Sequence, residues 1–288
     1  MLDSVPSVRV VGIAASPGSL RAVQAQILLT LAASSLKPLL VRAQKPLTLM
    51  DIPAFASEEL QLRGLTVPSD MLAGLRPVQL DQFRDLADKA HCPCLLLVES
   101  QALDFQDPAR RAATVERMRK LAAAASRLGC SCLGVACAGV TDDASFDRTA
   151  AGVKESLIAL DRFEVNVLLR PGAGPLADPV RLTDLIKKVG GFRIGSLPSF
   201  EHAHATGDLE QSLRRLAPYA GAIIASVKGF KRTGEHEGYD LVRCVEAVRS
   251  VGYLNTLSIE YTGKGDPVKA LERARELMST AIMAEEAA

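Results

Sequence analysis

The sequence predicts a single closed (β/α)8 barrel of the TIM-barrel type, an α/β fold. Counted from Gln26, apolar runs and amphipathic segments alternate strictly through eight units. Such alternation is typical of parallel strands joined by right-handed helical crossovers. The apolar runs show little inside-outside alternation, as expected for a parallel sheet covered on both faces. The length of 288 residues also fits, since one such barrel commonly takes about 250 residues.

An open doubly wound sheet is the structural rival of the barrel. It would usually carry a glycine-rich phosphate-binding turn after its first strand, and the segment LTLAASSLKP at this position has no glycine. No interior linker divides the chain. We therefore assign residues 25–288 to the barrel. Residues 1–24 form an N-terminal extension that we expect to be dispensable for folding.

Each unit contributes one strand and one helix. The predicted strands are 26–33, 64–67, 94–99, 132–138, 165–169, 193–197, 222–227 and 257–260. The predicted helices are 50–62, 77–90, 107–128, 150–162, 178–189, 209–216, 239–251 and 267–284. Closure of the barrel requires the last strand to pair with the first.

Composition argues against several classes of partner. The formal net charge is +1, without runs of like charge, which gives no support to a nucleic-acid or anionic-membrane partner. Aromatic residues make up 4% and tryptophan is absent, so a base-stacking surface is not indicated. No segment approaches the ~18 apolar residues needed to cross a bilayer. The N-terminus matches a secretory signal poorly. We expect a cytoplasmic protein, and a homo-oligomer is compatible with the sequence.

Six cysteines lie in the chain, at positions 92, 94, 130, 132, 137 and 244. Cys92 and Cys94, like Cys130 and Cys132, are separated by one residue, whereas zinc knuckles usually place two to four residues between their ligands. Cysteine is also among the most frequently buried residue types. We expect all six to be reduced core residues that bind no zinc.

The last third of the chain carries a recognisable pattern. Residues 239–260 read YDLVRCVEAVRSVGYLNTLSIE, followed by Tyr261 and Gly265-Asp266-Pro267. This pattern resembles the end of the xylose-isomerase-like barrels, the sugar phosphate isomerase and epimerase superfamily. Residues 124–139, 193–208 and 222–230 resemble its fourth, sixth and seventh units. The resemblance covers about residues 25–285 and implies the barrel fold. One fold serves many reactions, so it says less about chemistry.

The resemblance also implies four positions for the ligands of a divalent metal, one after each of strands five to eight. The strand-eight glutamate is present as Glu260, but Arg170, Ser199 and Ser226 stand where a glutamate, an aspartate and a histidine are usual. Mg²⁺ and Mn²⁺ need several oxygen ligands, and Arg170 would bring a permanent cation to their place. We therefore predict no metal and no other cofactor. We expect Arg170 to form an ion pair with Glu260 or with a substrate anion.

Each of the other candidate site residues has a functional and a structural interpretation. Glu260 is a catalytic carboxylate at the barrel mouth or one half of a structural ion pair. His202 is a general acid or base, or a loop histidine with an ordinary hydrogen bond. Lys228 binds phosphate or is a solvated rim residue, and Glu99 is a second candidate carboxylate. Like Arg170, Ser199 and Ser226, these two are candidates for substrate binding. His236 is expected on a mobile loop.

Two functions of different classes follow from these residues. The first is an isomerase or epimerase acting on a small sugar, polyol or their phosphate without the usual metal. The second is a non-catalytic barrel that retains a ligand pocket and serves as a binding or scaffold protein. Retention of Glu260, His202 and Lys228 favours the enzyme. The changes at Arg170 and the two serine positions favour the binding protein.

Overall fold

The computed structural model describes residues 27–42 and 44–284. Its parallel strands are β1 Leu28–Ala32, β2 Leu65–Pro68, β3 Cys94–Val98, β4 Cys132–Ala136, β5 Asn166–Arg170, β6 Ile194–Ser196, β7 Ala222–Val227 and β8 Thr256–Tyr261. They form one eight-stranded sheet in the order β6-β5-β4-β3-β2-β1-β8-β7. The predicted extension, residues 1–24, and Gln26 lie outside the described residues.

The sheet closes on itself, which confirms the predicted barrel. Residues 28–31 of β1 pair in parallel with residues 256–259 of β8. On the far side, β6 and β7 are joined by isolated parallel bridges, one of them between Ser199 and Ile224. The backbone N–H of Ile224 also donates to the carbonyl oxygen of Pro198 at 2.9 Å. The junction between β6 and β7 is thus the weakest part of the wall.

Helices cover the outside of the barrel. They are α1 Lys37–Leu40, α2 Ile52–Glu58, α3 Pro77–Lys89, α4 Arg111–Leu128, α5 Asp143–Ala159, α6 Pro179–Val189, α7 Phe200–Ala205, α8 Leu209–Leu216, α9 Leu241–Arg249 and α10 Pro267–Met283. None of the helices in the described residues is both long and apolar enough to cross a bilayer.

Helix α1 was not predicted, and α2, α5 and α7 also differ from the sequence prediction, for local reasons. Helix α5 begins at Asp143 instead of residue 150, because the Asp142 side chain caps it by accepting from the Ser145 N–H at 2.7 Å. Helix α2 is shorter than 50–62, because residues Leu49–Asp51 form a 3-10 turn. Helix α7 was predicted as a loop. It forms because Ser199 caps its first turn.

The core consists of two layers separated by the barrel wall. The larger layer packs the outer wall against the helices and includes Val167, Leu169, Ile223, Leu257 and Ile259. The smaller layer fills the barrel interior with Leu96, Val98, Leu168, Leu197, Ala222 and Ile224. Because side chains alternate across a strand, these two sets determine which neighbouring residues face inward.

The six cysteines are unbonded thiols. Five are buried, and Cys132 is half-buried. Burial raises the pKa of the Cys92 and Cys137 thiols to about 12, so both are protonated at neutral pH and behave as apolar core groups. Cys92, Cys94, Cys130 and Cys132 lie at the N-terminal ends of β3 and β4 or just before them, away from the barrel mouth.

Candidate functional site

The C-terminal ends of β5 to β8 bring the four positions named by the family resemblance to one mouth of the barrel. Arg170 follows the inward-facing Leu168 by two residues, and Ser226 follows Ile224 in the same way. On β8, Leu257 and Ile259 face the outer core, so Glu260 faces inward. Ser226 and Glu260 are direct register partners across β7 and β8. Ser226 and Glu260 are therefore neighbours on the inner wall of the barrel.

Glu260 is held at the mouth by a residue that sequence reasoning missed. The Ser34 hydroxyl, in the turn after β1, donates to Oε1 of Glu260 at 2.8 Å. The other carboxylate oxygen, Oε2, has no hydrogen-bond partner among residues 27–42 and 44–284. The side chain is half-buried. The carboxylate is therefore fixed through one oxygen and open to a ligand through the other. The only signal in the sequence was a serine directly after an apolar run.

Arg170 lies on the inner wall at the end of β5, but it does not contact Glu260. The predicted ion pair is wrong, since no guanidinium nitrogen of Arg170 lies within 4.0 Å of a Glu260 oxygen. Strands β6 and β7 lie between the two residues around the wall. Glu260 is also oriented toward Ser34, on the opposite side of β8 from Arg170. The two charges are separate features of one mouth.

A group of buried hydroxyls lies below Glu260. Thr30, Thr66, Ser226 and Ser258 are each 5% exposed or less, and alternation along β1, β2, β7 and β8 turns all four inward. The Ser258 hydroxyl oxygen is buried without a hydrogen-bond partner. The opposite part of the interior, formed by β3, β5 and β6, is lined by the leucines and valine of the inner core. The interior is thus polar on the Glu260 side and apolar below Arg170.

Ser199 and His202 have mainly structural contacts. The Ser199 hydroxyl accepts from the backbone N–H of His202 at 3.1 Å and so caps helix α7. The His202 ring nitrogen Nε2 lies 2.9 Å from the carbonyl oxygen of Ala177, in the loop between β5 and α6. This carbonyl can only accept, so Nε2 carries the proton. His202 thus connects α7 to that loop, and neither a hydrogen bond nor an ion pair joins it to Glu260.

The loop after β7 is held against the barrel by a buried histidine. His236 is 7% exposed, so the prediction that it lies on a mobile loop is wrong. Its Nε2 accepts from the backbone N–H of Lys228 at 2.9 Å, and its Nδ1 lies 3.0 Å from the carbonyl oxygen of Tyr239. Burial lowers the pKa of His236. The Tyr239 hydroxyl donates to the Ser226 carbonyl oxygen at 2.6 Å, and burial raises the pKa of this phenol.

The Lys228 side chain leaves the barrel and lines an outer cleft. Its ammonium group lies 2.8 Å from a carboxylate oxygen of Glu201, and both side chains are 45% exposed. The cleft has a volume of about 820 Å³ and lies between the ends of β7 and β8 and helix α10. Neither Arg170 nor Glu260 is among its lining residues. Lys228 is therefore a half-exposed rim residue paired with Glu201.

Glu99 faces away from the barrel interior. Leu97, two residues earlier, belongs to the outer core, and the Glu99 carboxylate meets Arg117 of helix α4 at 2.5 Å. It also accepts from the Ser69 hydroxyl and the Gln101 N–H, both at 3.1 Å. The side chain is 2% exposed. The structure therefore does not bring Glu99 together with the other site residues.

The residues at the mouth do not fit a divalent cation. Of the four positions that the resemblance assigns to metal ligands, three hold a guanidinium or a hydroxyl, and only Glu260 is a carboxylate. In the part of the chain that the structure describes, no three or more His, Cys, Asp or Glu side chains are grouped so as to hold a metal ion. A single carboxylate is a poor donor set for Mg²⁺, Mn²⁺ or Zn²⁺.

Solved structures of low sequence identity share the architecture. An L-ribulose 3-epimerase superposes with a TM-score of 0.74 at 14% identity, covering 91% of this chain and 98% of that one. A 3-keto-D-glucoside 4-epimerase from E. coli gives 0.68 at 15% identity, covering 88% and 100%. The IOLI protein with a bound zinc atom gives 0.69 at 13% identity, covering 90% and 99%. No curated protein matched the chain in sequence.

The sequence itself matches the model of a protein family. The model of the xylose isomerase-like TIM barrel matches residues 56–281, from within helix α2 to the last turn of helix α10. This range includes seven of the eight strands and every residue of the mouth except those contributed by β1 and the turn that follows it. The chain belongs to the xylose isomerase-like TIM barrel family.

Proposed function

We propose that the protein is a metal-independent isomerase or epimerase of a small sugar, polyol or sugar phosphate, with Glu260 as its acid-base catalyst. The observation that carries the proposal is the state of the Glu260 carboxylate. It faces the barrel interior, one oxygen is bound by Ser34 at 2.8 Å, and the other is open. Active sites of these barrels form at the C-terminal ends of the strands, which is where Glu260 lies.

The chemistry requires little beyond these groups. Glu260 removes a proton from a carbon next to a carbonyl, and the electron pair moves into the carbonyl to form an enediolate. Isomerisation is complete when the proton is returned to the former carbonyl carbon and the hydroxyl proton of the first carbon is transferred to the former carbonyl oxygen. One carboxylate can make both transfers at carbon, whereas an epimerisation returns the proton to the opposite face of the same carbon and needs a second acid. Arg170 is a fixed positive charge at the same mouth that can bind an anionic group of the substrate. Ser226, the register partner of Glu260, is a candidate hydroxyl contact for a polyol bound at the mouth. His202 remains a candidate second acid or base.

The similarity to sugar epimerases supports the substrate class. The L-ribulose 3-epimerase and the 3-keto-D-glucoside 4-epimerase both act on sugars according to their descriptions. Independence of a divalent metal is supported by the donor chemistry at Arg170, Ser199 and Ser226. A cytoplasmic location and a homo-oligomeric state are expectations from the sequence alone.

A non-catalytic binding protein is the second candidate. It is favoured by the use of Ser199 as a helix cap and of His202 Nε2 as a link to Ala177, since these hydrogen bonds give both side chains a structural role. In this case the barrel retains a pocket for a sugar-like ligand and no turnover occurs.

The two candidates differ in proton exchange. We would incubate the EDTA-treated protein in D2O with aldoses, ketoses, sugar phosphates and sugar acids, and follow deuterium incorporation at carbon by NMR. The enzyme proposal expects exchange with at least one compound. It also expects a loss of about 10²–10⁴-fold in Glu260→Gln, with the urea midpoint unchanged.

The same experiment can contradict each part of the proposal. Exchange that requires Mn²⁺ or Mg²⁺ after EDTA treatment would contradict independence of metal. Undiminished exchange in Glu260→Gln would remove Glu260 from the mechanism. Saturable ligand binding without exchange in any compound would establish the binding protein instead.

A further inference from the structure

Arg170 is a half-buried cation without a partner among the described residues. Its side chain faces the barrel interior at the end of β5. Within residues 27–42 and 44–284, no hydrogen bond, ion pair or aromatic contact is made by its guanidinium group. The inner side chains nearest to it along the chain are apolar, with Leu168 two residues before it on the same strand. The N–H donors of the guanidinium therefore have no acceptor among the described residues.

Comparison with the other arginines shows that this state is unusual in the molecule. Among the described residues, only Arg63, Arg170, Arg215 and Arg232 lack a hydrogen bond, ion pair or aromatic contact. Arg63, Arg215 and Arg232 are exposed, so water satisfies their donors. Arg170 alone in this group is partly withdrawn from solvent. The other half-buried arginines that the structure describes all have partners: Arg111, Arg181 and Arg193 meet carboxylates. Arg249 donates to the carbonyl oxygen of Ala281, and Arg275 donates to the Gln61 amide oxygen.

Partial burial of an unpaired charge is unfavourable unless a partner arrives. Removing a charged group from water costs free energy that only an opposite charge or several hydrogen bonds restore. The planar guanidinium presents paired N–H donors that match a carboxylate or phosphate in a bidentate arrangement. An unpaired arginine at the mouth of a barrel is thus a preformed receptor for an anion.

The other groups at the mouth define where the rest of such a ligand lies. Glu260 and Ser34 are on β8 and beside β1, across the barrel from β5. The carboxylate of Glu260 would repel an anionic group placed next to it. The negative end of the ligand is therefore directed to Arg170, and its hydroxyl-bearing part to Glu260.

We propose that the natural ligand is an anionic polyhydroxy compound, a sugar acid or a sugar phosphate, whose carboxylate or phosphate group is bound by Arg170. This inference rests on the proposed function for the location of the site, but it concerns binding and does not require turnover. It deepens the proposal by excluding neutral sugars as the preferred ligands.

Isothermal calorimetry with three probes tests the inference: gluconate for the carboxylate, glucose 6-phosphate for the phosphate, and glucose as the neutral analogue. We expect the wild type to bind at least one anion more tightly than glucose. Arg170→Met should weaken that anion about 10–100-fold and leave glucose unchanged. Arg170→Lys should give an intermediate affinity, because it retains the charge without the bidentate geometry. Whether gluconate or glucose 6-phosphate responds identifies the acidic group.

Arg215→Met is the matched control, since Arg215 is an unpaired but exposed arginine on helix α8. An equal loss of anion affinity in this variant would indicate a general charge effect and overturn the proposal. So would anion binding that Arg170→Met does not change, or glucose binding as tight as either anion. Urea denaturation separates misfolding from site loss: the midpoint of Arg170→Met should equal or exceed that of the wild type, because no native contact is removed.

Anion binding that follows these expectations without proton exchange would retain this inference and reject the catalytic proposal.

Discussion

Two arginine-glutamate sets lie at the C-terminal ends of the barrel strands, one outside the wall and one inside it. Outside, Glu99 is 2% exposed and is bound by Arg117 through two nitrogens, at 2.8 and 2.5 Å. Inside, Arg170 and Glu260 share the same mouth, yet no contact joins them, and in the described part of the chain Glu260 is bound only by the Ser34 hydroxyl. The residue types are the same in both sets, and the arrangement differs.

The difference separates a structural pair from a binding site. A carboxylate as deeply buried as Glu99 is tolerated only when its oxygens are satisfied, and the pair attaches helix α4 to the end of β3. The inner charges have no such partner and keep their binding capacity for a ligand. The outer set therefore stabilises the fold, and the inner set is free for recognition and catalysis.

The sharpest test of this comparison replaces the arginine of each set with methionine. Arg117→Met leaves the Glu99 carboxylate buried without its counter-charge and should lower the free energy of unfolding by about 2–4 kcal/mol. Arg170→Met should change it by less than about 0.5 kcal/mol. Urea denaturation of the two variants beside the wild type measures both. Equal destabilisation would show that the inner arginine is as structural as the outer one.

Most of the fold could be predicted from the sequence, because it depends on patterns that a sequence records. The apolar runs located all eight strands, and Gly129 correctly ended α4, where its φ of +81° favours glycine. Errors arose where one side chain controls a helix end. Asp142 caps α5 upstream of its first apolar repeat. Ser199 caps the segment EHAH, which therefore forms helix α7 and not the predicted loop.

The site was harder to predict, because it depends on side-chain directions. Alternation on β8 and β5 places Glu260 and Arg170 on one inner wall, but no pattern shows that Glu260 is oriented toward Ser34. The direction of Glu99 could have been predicted. Leu97 and Glu99 share one face of β3, and an apolar face packed on helices is unsuited to a pocket carboxylate.

The buried histidine at the mouth should make stability depend on pH. Burial lowers the folded-state pKa of His236 below its ordinary value of 6.5, so the unfolded chain binds the proton more readily. This contribution to stability is present above pH 6.5 and falls as the pH is lowered. Protonation also ends the hydrogen bond that Nε2 accepts from the Lys228 N–H, worth about 0.5–1.5 kcal/mol. Glu237 opposes the pKa shift, whereas Lys228 and His204 add to it.

Substitution identifies the responsible histidine. His236→Gln retains an acceptor for the Lys228 N–H but cannot titrate, so the loss of stability between pH 7 and pH 5 should become smaller. His204→Gln, at an exposed histidine of the same region, should keep the wild-type dependence. Thermal unfolding at several pH values provides the measurement. If the pH dependence of stability is lost in His204→Gln instead, the effect would belong to the surface of α7, and the loop after β7 would have no role in it.

The smallest effect is expected at Ser34, and it tests how the inner carboxylate is used. Ser34→Ala removes the hydroxyl that positions Glu260 and should reduce kcat about 3–10-fold with little change in KM, since about 0.5–1.5 kcal/mol is typical of one hydrogen bond. Stability should stay almost constant because Glu260 is half-exposed to water.

The neighbouring Ser35 provides the contrast: its hydroxyl accepts from the buried Tyr261 N–H at 2.9 Å. Ser35→Ala leaves that donor unsatisfied and should lower stability by about 1–3 kcal/mol. If Ser34→Ala lowered stability as much as Ser35→Ala and left kcat intact, the Ser34–Glu260 contact would belong with the outer pair as part of the fold.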